Sequence, residues 1–102
     1  MAKASLSTHV LDTTTGKPAA GVRIELQRDG KPVVSGVTDA DGRIRELAQG
    51  LEAGTYRLIF DTRAYSAEAF FTRVAVDVEL GAAHTHVPLL LSRYGVTAYR
   101  GS

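Results

Sequence analysis

Apolar residues in this chain recur every second position in short runs bounded by turn-forming residues. That period builds half-buried strands and leaves little chain for long helices. The runs cover residues 6–11, 22–28, 32–38, 55–61, 72–79, 84–91 and 96–100. Asp29-Gly30 has the signature of a two-residue hairpin turn between the second and third runs. Asp39-Ala40-Asp41-Gly42 closes the next turn, with the glycine supplying positive φ. Only AYSAEAF, residues 64–70, has a helical composition, and without a convincing cap it is expected to form one or two turns at most. Residues 43–54 read equally as short strand or loop, with Gly50 and Gly54 marking breaks. The expected fold is all-β: an antiparallel β-sandwich of seven to eight strands with at most one short helix. At 102 residues, one hydrophobic core and one domain spanning 1–102 are expected.

Several function classes fall away on composition. The 12 Lys and Arg nearly balance the 11 Asp and Glu and are scattered along the chain, so the basic stripe of a nucleic-acid binder is missing. There is no cysteine, which excludes disulfides, thiolate zinc sites and a thiolate nucleophile. MAKASLSTHV has no apolar leader region, and no apolar run approaches the roughly 20 residues of a membrane span. A cytoplasmic protein without a membrane partner is expected, and export would require a leader removed ahead of residue 1.

The C-terminal stretch HTHVPLLLSRYGVTAYRGS does not fit an ordinary surface strand. Alternation sends Val87, Leu89 and Leu91 to the inner face and leaves His84, His86, Pro88 and Leu90 on the outer one. The next strand adds Thr97 and Tyr99 outside, with Val96 and Ala98 inside, and THVLDT places His9 and Leu11 on one face and Val10 on the other. Stray apolar surface residues are common. Three strands combining into one apolar, His-bearing face point instead to a ligand site or a partner, most simply a second copy of the chain. Pro88 cannot donate to a ladder, so a local irregularity is expected there.

The three histidines, His9, His84 and His86, are the natural candidates for acid–base work, although each alone reads more readily as a structural or solvated residue. His84-x-His86 with His9 also passes a loose test for a zinc site with an open water position, a test that any His-x-His strand passes. Arg43, after the Asp41-Gly42 turn, has the simpler reading of a solvated arginine. No GxSxG, GxGxxG or P-loop motif is present.

Taken together, LSTHVLDTTTGKPAAGV, TDADGR, GTYRLIFDT, HTHVPLLLSRYG and the terminal YRGS resemble, nearly end to end, the transthyretin-like proteins and within them the 5-hydroxyisourate hydrolases. The terminal Tyr99-Arg100-Gly101-Ser102 is the most specific element of the resemblance. The resemblance implies a hydrolase of urate breakdown that opens a cyclic amide of 5-hydroxyisourate to give 2-oxo-4-hydroxy-4-carboxy-5-ureidoimidazoline. It implies a homotetramer, a dimer of dimers, with active sites at the ends of a channel. By the same resemblance His9, Arg43, His86 and Ser102 are catalytic, and Tyr99 and Arg100 join them in binding substrate, with no metal or organic cofactor. His84 is expected nearer the channel mouth and to be less essential. The chain departs from the family pattern at SRYGVTA, where Arg93 stands for a usual proline and Val96 for a tyrosine, at FFTRV, and in a shortened stretch between 61 and 70. The shortening puts the family's single helix in doubt. Two other functions are weighed: a transthyretin-like carrier that binds a small ligand without turnover, and a monomeric structural sandwich module.

Overall fold

Extended chain forms wherever the two-residue alternation runs, and the inward residues of successive strands meet in one core. The computed structural model describes residues 3–101. Its elements are β1 (Ala4–Asp12), β2 (Lys17–Pro18), β3 (Arg23–Arg28), β4 (Lys31–Val37), β5 (Arg43–Leu51), β6 (Gly54–Asp61), α1 (Thr62–Tyr65), β7 (Val74–Leu80), β8 (His84–Leu91) and β9 (Val96–Ala98). One sheet has the order β4-β3-β6-β7; the other runs β2-β1-β8-β9, with β5 sharing the β2 edge of β1. Leu6 and Val10, Ile24 and Leu26, Leu58 and Phe60, and Leu89 fill the space between them, all fully buried. Burial of each such large side chain contributes about 1.5–3 kcal/mol, the driving force for closing the two layers.

The all-β sandwich with one short helix is as expected, and the differences lie in details that alternation cannot encode. Among the described residues all ladders are antiparallel except one: β1 and β8 pair in parallel, in unbroken register from Ser5 opposite His84 to Asp12 opposite Leu91. A period of two specifies which face a side chain takes and carries no strand direction.

The ambiguous residues 43–54 contain a full strand, β5, whose pairing with β1 slips between Ala4 and Leu6 and again between Leu6 and Thr8. Gly50, at φ 68°, sits in the first of these irregularities. Bulges of this kind insert unpaired residues and scramble the alternation, which is why RIRELAQGL reads equally as strand or loop from sequence.

The helix is a single turn that begins ahead of the expected 64–70 window. Its cap is Asp61, whose carboxylate accepts the Ala64 N–H at 3.1 Å. The Tyr65 hydroxyl then donates to Asp12 at 2.9 Å, fastening the turn to the end of β1. No helix among the described residues is long and apolar enough to cross a membrane.

Pro88 does produce an irregularity, confined to one side. The β1 ladder passes it undisturbed, with His9 opposite Pro88. On the other side Tyr99 N–H donates to the Pro88 carbonyl at 3.3 Å, and proline has no N–H to return the bond. The β9 strand accordingly stops at Ala98 and pairing resumes only as an isolated bridge between His86 and Gly101.

Candidate active site

β1 is flanked by β5 and β8, so its outward residues sit between two neighbouring strands. Leu6, Thr8 and Val10 point into the sandwich and are fully buried. Ser5, Ser7 and His9 therefore take the opposite face. The registers bring Arg43 opposite His9 on one side, and His84 and His86 opposite Ser5 and Ser7 on the other. Three segments distant in sequence thus converge on one outer sheet face.

The turn before β5 is built to deliver Arg43 to that register. One Asp39 carboxylate oxygen accepts both Asp41 N–H and Arg43 N–H at 2.9 Å, and these backbone bonds, the Arg43 one foremost, hold the Asp39 carboxyl below its ordinary pKa. Gly42 has φ 73° and its carbonyl accepts Val10 N–H at 2.7 Å. A Cβ on Gly42 would collide with the Val10 carbonyl, so only glycine lets the turn close against β1.

The face carries a shallow depression of ≈ 300 Å³ lined by Ser7, Thr8, Arg43, Arg45, His84 and His86. No carboxylate lines it, which suits an electron-rich, oxygen-bearing ligand. The rings of His9 and His86 have centroids 6.5 Å apart. His9 Nε2 lies 3.0 Å from the Asp41 carbonyl oxygen. A carbonyl only accepts, so Nε2 holds a proton and Nδ1 of the neutral ring is left as a base. His86 Nδ1 lies 2.7 Å from Ser7 Oγ, leaving Nε2 as its other ring nitrogen. Burial pushes the His86 pKa down from the ordinary imidazole value, and the nearby Arg43, His9 and His84 push it the same way.

Of the residues expected at the site, His9, Arg43 and His86 come together. Tyr99 and Arg100 line a different depression of ≈ 320 Å³, between β7 and β8 and bordered by Val76, Glu79, Thr85 and Val87. Ser102 lies outside the described residues. His84 is at the exposed end of the row and is joined to His86 through Ser7. No three His, Cys, Asp or Glu among the described residues are arranged to hold a metal ion, so geometry lends the zinc reading of His9, His84 and His86 no support.

Sequence reasoning missed Ser7 and Gly101. Ser7 shares the outward parity of His9, a signal present in SLSTH but without meaning until the partner strand is known. Gly101 N–H donates to the His86 carbonyl at 2.7 Å, and a Cβ there would lie 2.7 Å from His86 Cδ2. The tail therefore touches the imidazole only because that residue is glycine.

The sequence profile of the HIUase/Transthyretin family matches residues 6–101. The chain belongs to this family. Within the HIUase/Transthyretin family, the chain is 44% identical over 113 residues to a 5-hydroxyisourate hydrolase of Mesorhizobium japonicum, an alignment covering 95% of this chain and 91% of the relative. Its fold superposes on 5-hydroxyisourate hydrolase of Klebsiella pneumoniae with a TM-score of 0.91 at 41% identity, covering 97% of this chain and 99% of the other. Sea bream transthyretin in complex with thyroxine is similar at a TM-score of 0.85 and 31% identity, over 94% of this chain and 93% of the other.

Proposed function

We propose that this chain is a 5-hydroxyisourate hydrolase of urate degradation, acting as one domain over 1–102 and opening a cyclic amide of its substrate by addition of water. The observation that carries the reading is the convergence of His9, Arg43 and His86 from three strands on one outer sheet face, with Arg43 and His86 lining a depression that no carboxylate borders. Cyclic-amide hydrolysis needs a base for water, a cation for the tetrahedral oxyanion, and a proton for the departing nitrogen. His9 suits the first role. Its Nδ1 accepts a proton from water, and the imidazolium so formed keeps its Nε2–H on the Asp41 carbonyl. General-base help of this kind contributes about 10²–10⁴-fold.

Arg43, beside His9 in register, suits the oxyanion, where loss of one preorganised donor typically costs about 3 kcal/mol. His86, across the face from His9, serves the leaving nitrogen. Tyr99, Arg100 and Ser102 are proposed to complete substrate binding from the C-terminal segment, in a homotetramer whose subunits pack through this outer face. A cytoplasmic location fits a soluble metabolite as substrate. A carrier of the transthyretin kind has no evident use for a base, a cation and a second imidazole aligned on one face, which favours the hydrolase.

The test is an ultraviolet assay in which 5-hydroxyisourate is generated freshly with urate oxidase and its decay followed with and without the protein. Acceleration over the spontaneous rate is expected, and it should be lost by about 10²-fold or more in His9→Ala and in His86→Ala while both variants stay folded. Near-normal turnover in both variants would overturn the assignment. Saturable ligand binding by the wild type without turnover would turn it into the carrier.

A further inference from the structure

The outer face holds a run of hydrogen-bonded side chains that the hydrolytic roles leave unused. Ser5 Oγ lies 2.7 Å from His84 Nδ1, His84 Nε2 lies 2.9 Å from Ser7 Oγ, and Ser7 Oγ lies 2.7 Å from His86 Nδ1. Every heavy-atom separation is within ordinary hydrogen-bond range, and the run leads from the exposed Ser5–His84 end to the half-buried His86. Parallel pairing of β1 with β8 produces it, because Ser5 and Ser7 stand opposite His84 and His86 in register.

We infer that Ser5, His84 and Ser7 form a proton relay that resupplies His86 as it protonates the leaving nitrogen. The inference rests on the hydrolase reading above and adds positioning roles for three residues that act through His86.

Proton bookkeeping carries the argument. Ser7 is buried, at 7% exposure, and its hydroxyl has no hydrogen-bond partner among the described residues other than the two imidazoles. Its single proton must therefore go to one ring, while its oxygen accepts from the other. If Ser7 donates to His86 Nδ1, it accepts from His84 Nε2–H, and His84 Nδ1 accepts from Ser5; both rings then carry their proton on Nε2. If the run points the other way, both carry it on Nδ1. One hydroxyl thus forces the two neutral histidines into the same tautomer.

The resting direction proposed here is Nε2–H on both, which aims an N–H of His86 at the depression. Burial and the charges around His86 lower its pKa and so favour the neutral ring, which has one proton to give and without resupply would be left as a costly imidazolate. The relay avoids this. As the C–N bond breaks, the departing nitrogen takes the Nε2 proton of His86. Nδ1 of His86 takes the Ser7 proton, Ser7 takes that of His84 Nε2, His84 Nδ1 takes that of Ser5, and bulk water reprotonates Ser5, the hydroxide so left being neutralised by the proton that the His9 imidazolium returns to solvent. Neither His84 nor His86 changes its charge, and the run ends in the Nδ1–H direction. Reversal through solvent resets it for the next turnover.

The test combines kinetics with imidazole 15N spectra. In the unliganded wild type, the neutral rings of His84 and His86 should show the same tautomer, protonated at Nε2. Ser7→Ala should lower kcat by about 10²-fold with KM within about twofold of wild type, and should change a curved kcat proton inventory in H₂O/D₂O mixtures into a linear one. His84→Ala should do the same, and the double variant should be no slower than either single one, since both break one run. Opposite tautomers in the wild-type spectrum would overturn the relay, as would a Ser7→Ala variant with unchanged kcat and proton inventory. The spectra are read without substrate, so the two failures separate: a protein inactive on 5-hydroxyisourate would sink the hydrolase reading and the relay with it, whereas an active protein with opposite tautomers would sink the relay alone.

Discussion

His86 is the residue on which most of the site's physics meets. Its pKa is lowered first by burial and then by Arg43, His9 and His84, so the folded protein binds a proton there less readily than the unfolded chain does. Stability from this group is therefore present above the ordinary imidazole pKa and declines as pH falls toward the lowered one. Activity follows the same sign: the relay works from a neutral His86 ring, so the acid limb that His86 contributes to the pH–rate profile should lie below the ordinary imidazole range. Arg43→Gln removes one of the depressing charges, and its residual activity should show that limb moved to higher pH, as a pH–rate profile will reveal. An unmoved limb would mean that another group controls it. The second residue-scale prediction concerns Gly101, whose missing side chain leaves space for His86 Cδ2. Gly101→Ala should displace the ring or the tail and lower kcat by roughly 10-fold, with a near wild-type Tm because the His86–Gly101 bridge stands apart from the named strands. Unaltered kcat would separate the tail from the chemistry.

At the scale of elements, the turn of Asp39 to Gly42 and the strand it starts decide where Arg43 stands. Gly42→Ala places a side chain at φ 73° and against the Val10 carbonyl, so both strain and a broken approach oppose it. A loss of about 2 kcal/mol is expected, roughly a 10 °C fall in Tm by calorimetry, together with reduced turnover as Arg43 leaves its register opposite His9. Wild-type stability in this variant would show that the turn can relax at no penalty. Elements also show what a linear reading can resolve. The strands β3, β6 and β8 were legible because Ile24 and Leu26, Leu58 and Phe60, and Val87, Leu89 and Leu91 keep a buried apolar residue at every second position. β5 was not, since two slips in its ladder shift its inward residues, leaving Leu47 and Ala48 buried side by side. The helix cap was missed for a related reason: Asp61 ends a strand by its alternation, and becomes a cap only when the chain turns after it.

For the molecule as a whole, the exposed faces bear on assembly. Phe70 is 65% exposed and Tyr94 68%, and the Arg93 guanidinium lies 5.2 Å from the Tyr94 ring centre. Arg93 thus fits its surroundings in place of the usual proline, covering an aromatic ring and bonding through its backbone to Thr14 and Phe70. Sedimentation equilibrium is expected to give a mass about four times the 10.9 kDa of one chain, in keeping with the proposed homotetramer. A stable monomer at micromolar concentration would favour the structural-module reading instead. Period-two alternation, the Asp-Gly turns and the absence of cysteine were enough to determine an all-β sandwich, the inward residues of its regular strands and the family to which its motifs point, because these depend on residues adjacent in the chain. The parallel seam between β1 and β8, the bulged course of β5, the one-sided interruption at Pro88 and the meeting of Ser7 with His86 were decided only by tertiary structure. Each depends on which distant strand lies alongside and in which direction. That choice is made by packing of the whole core, and no local pattern records it.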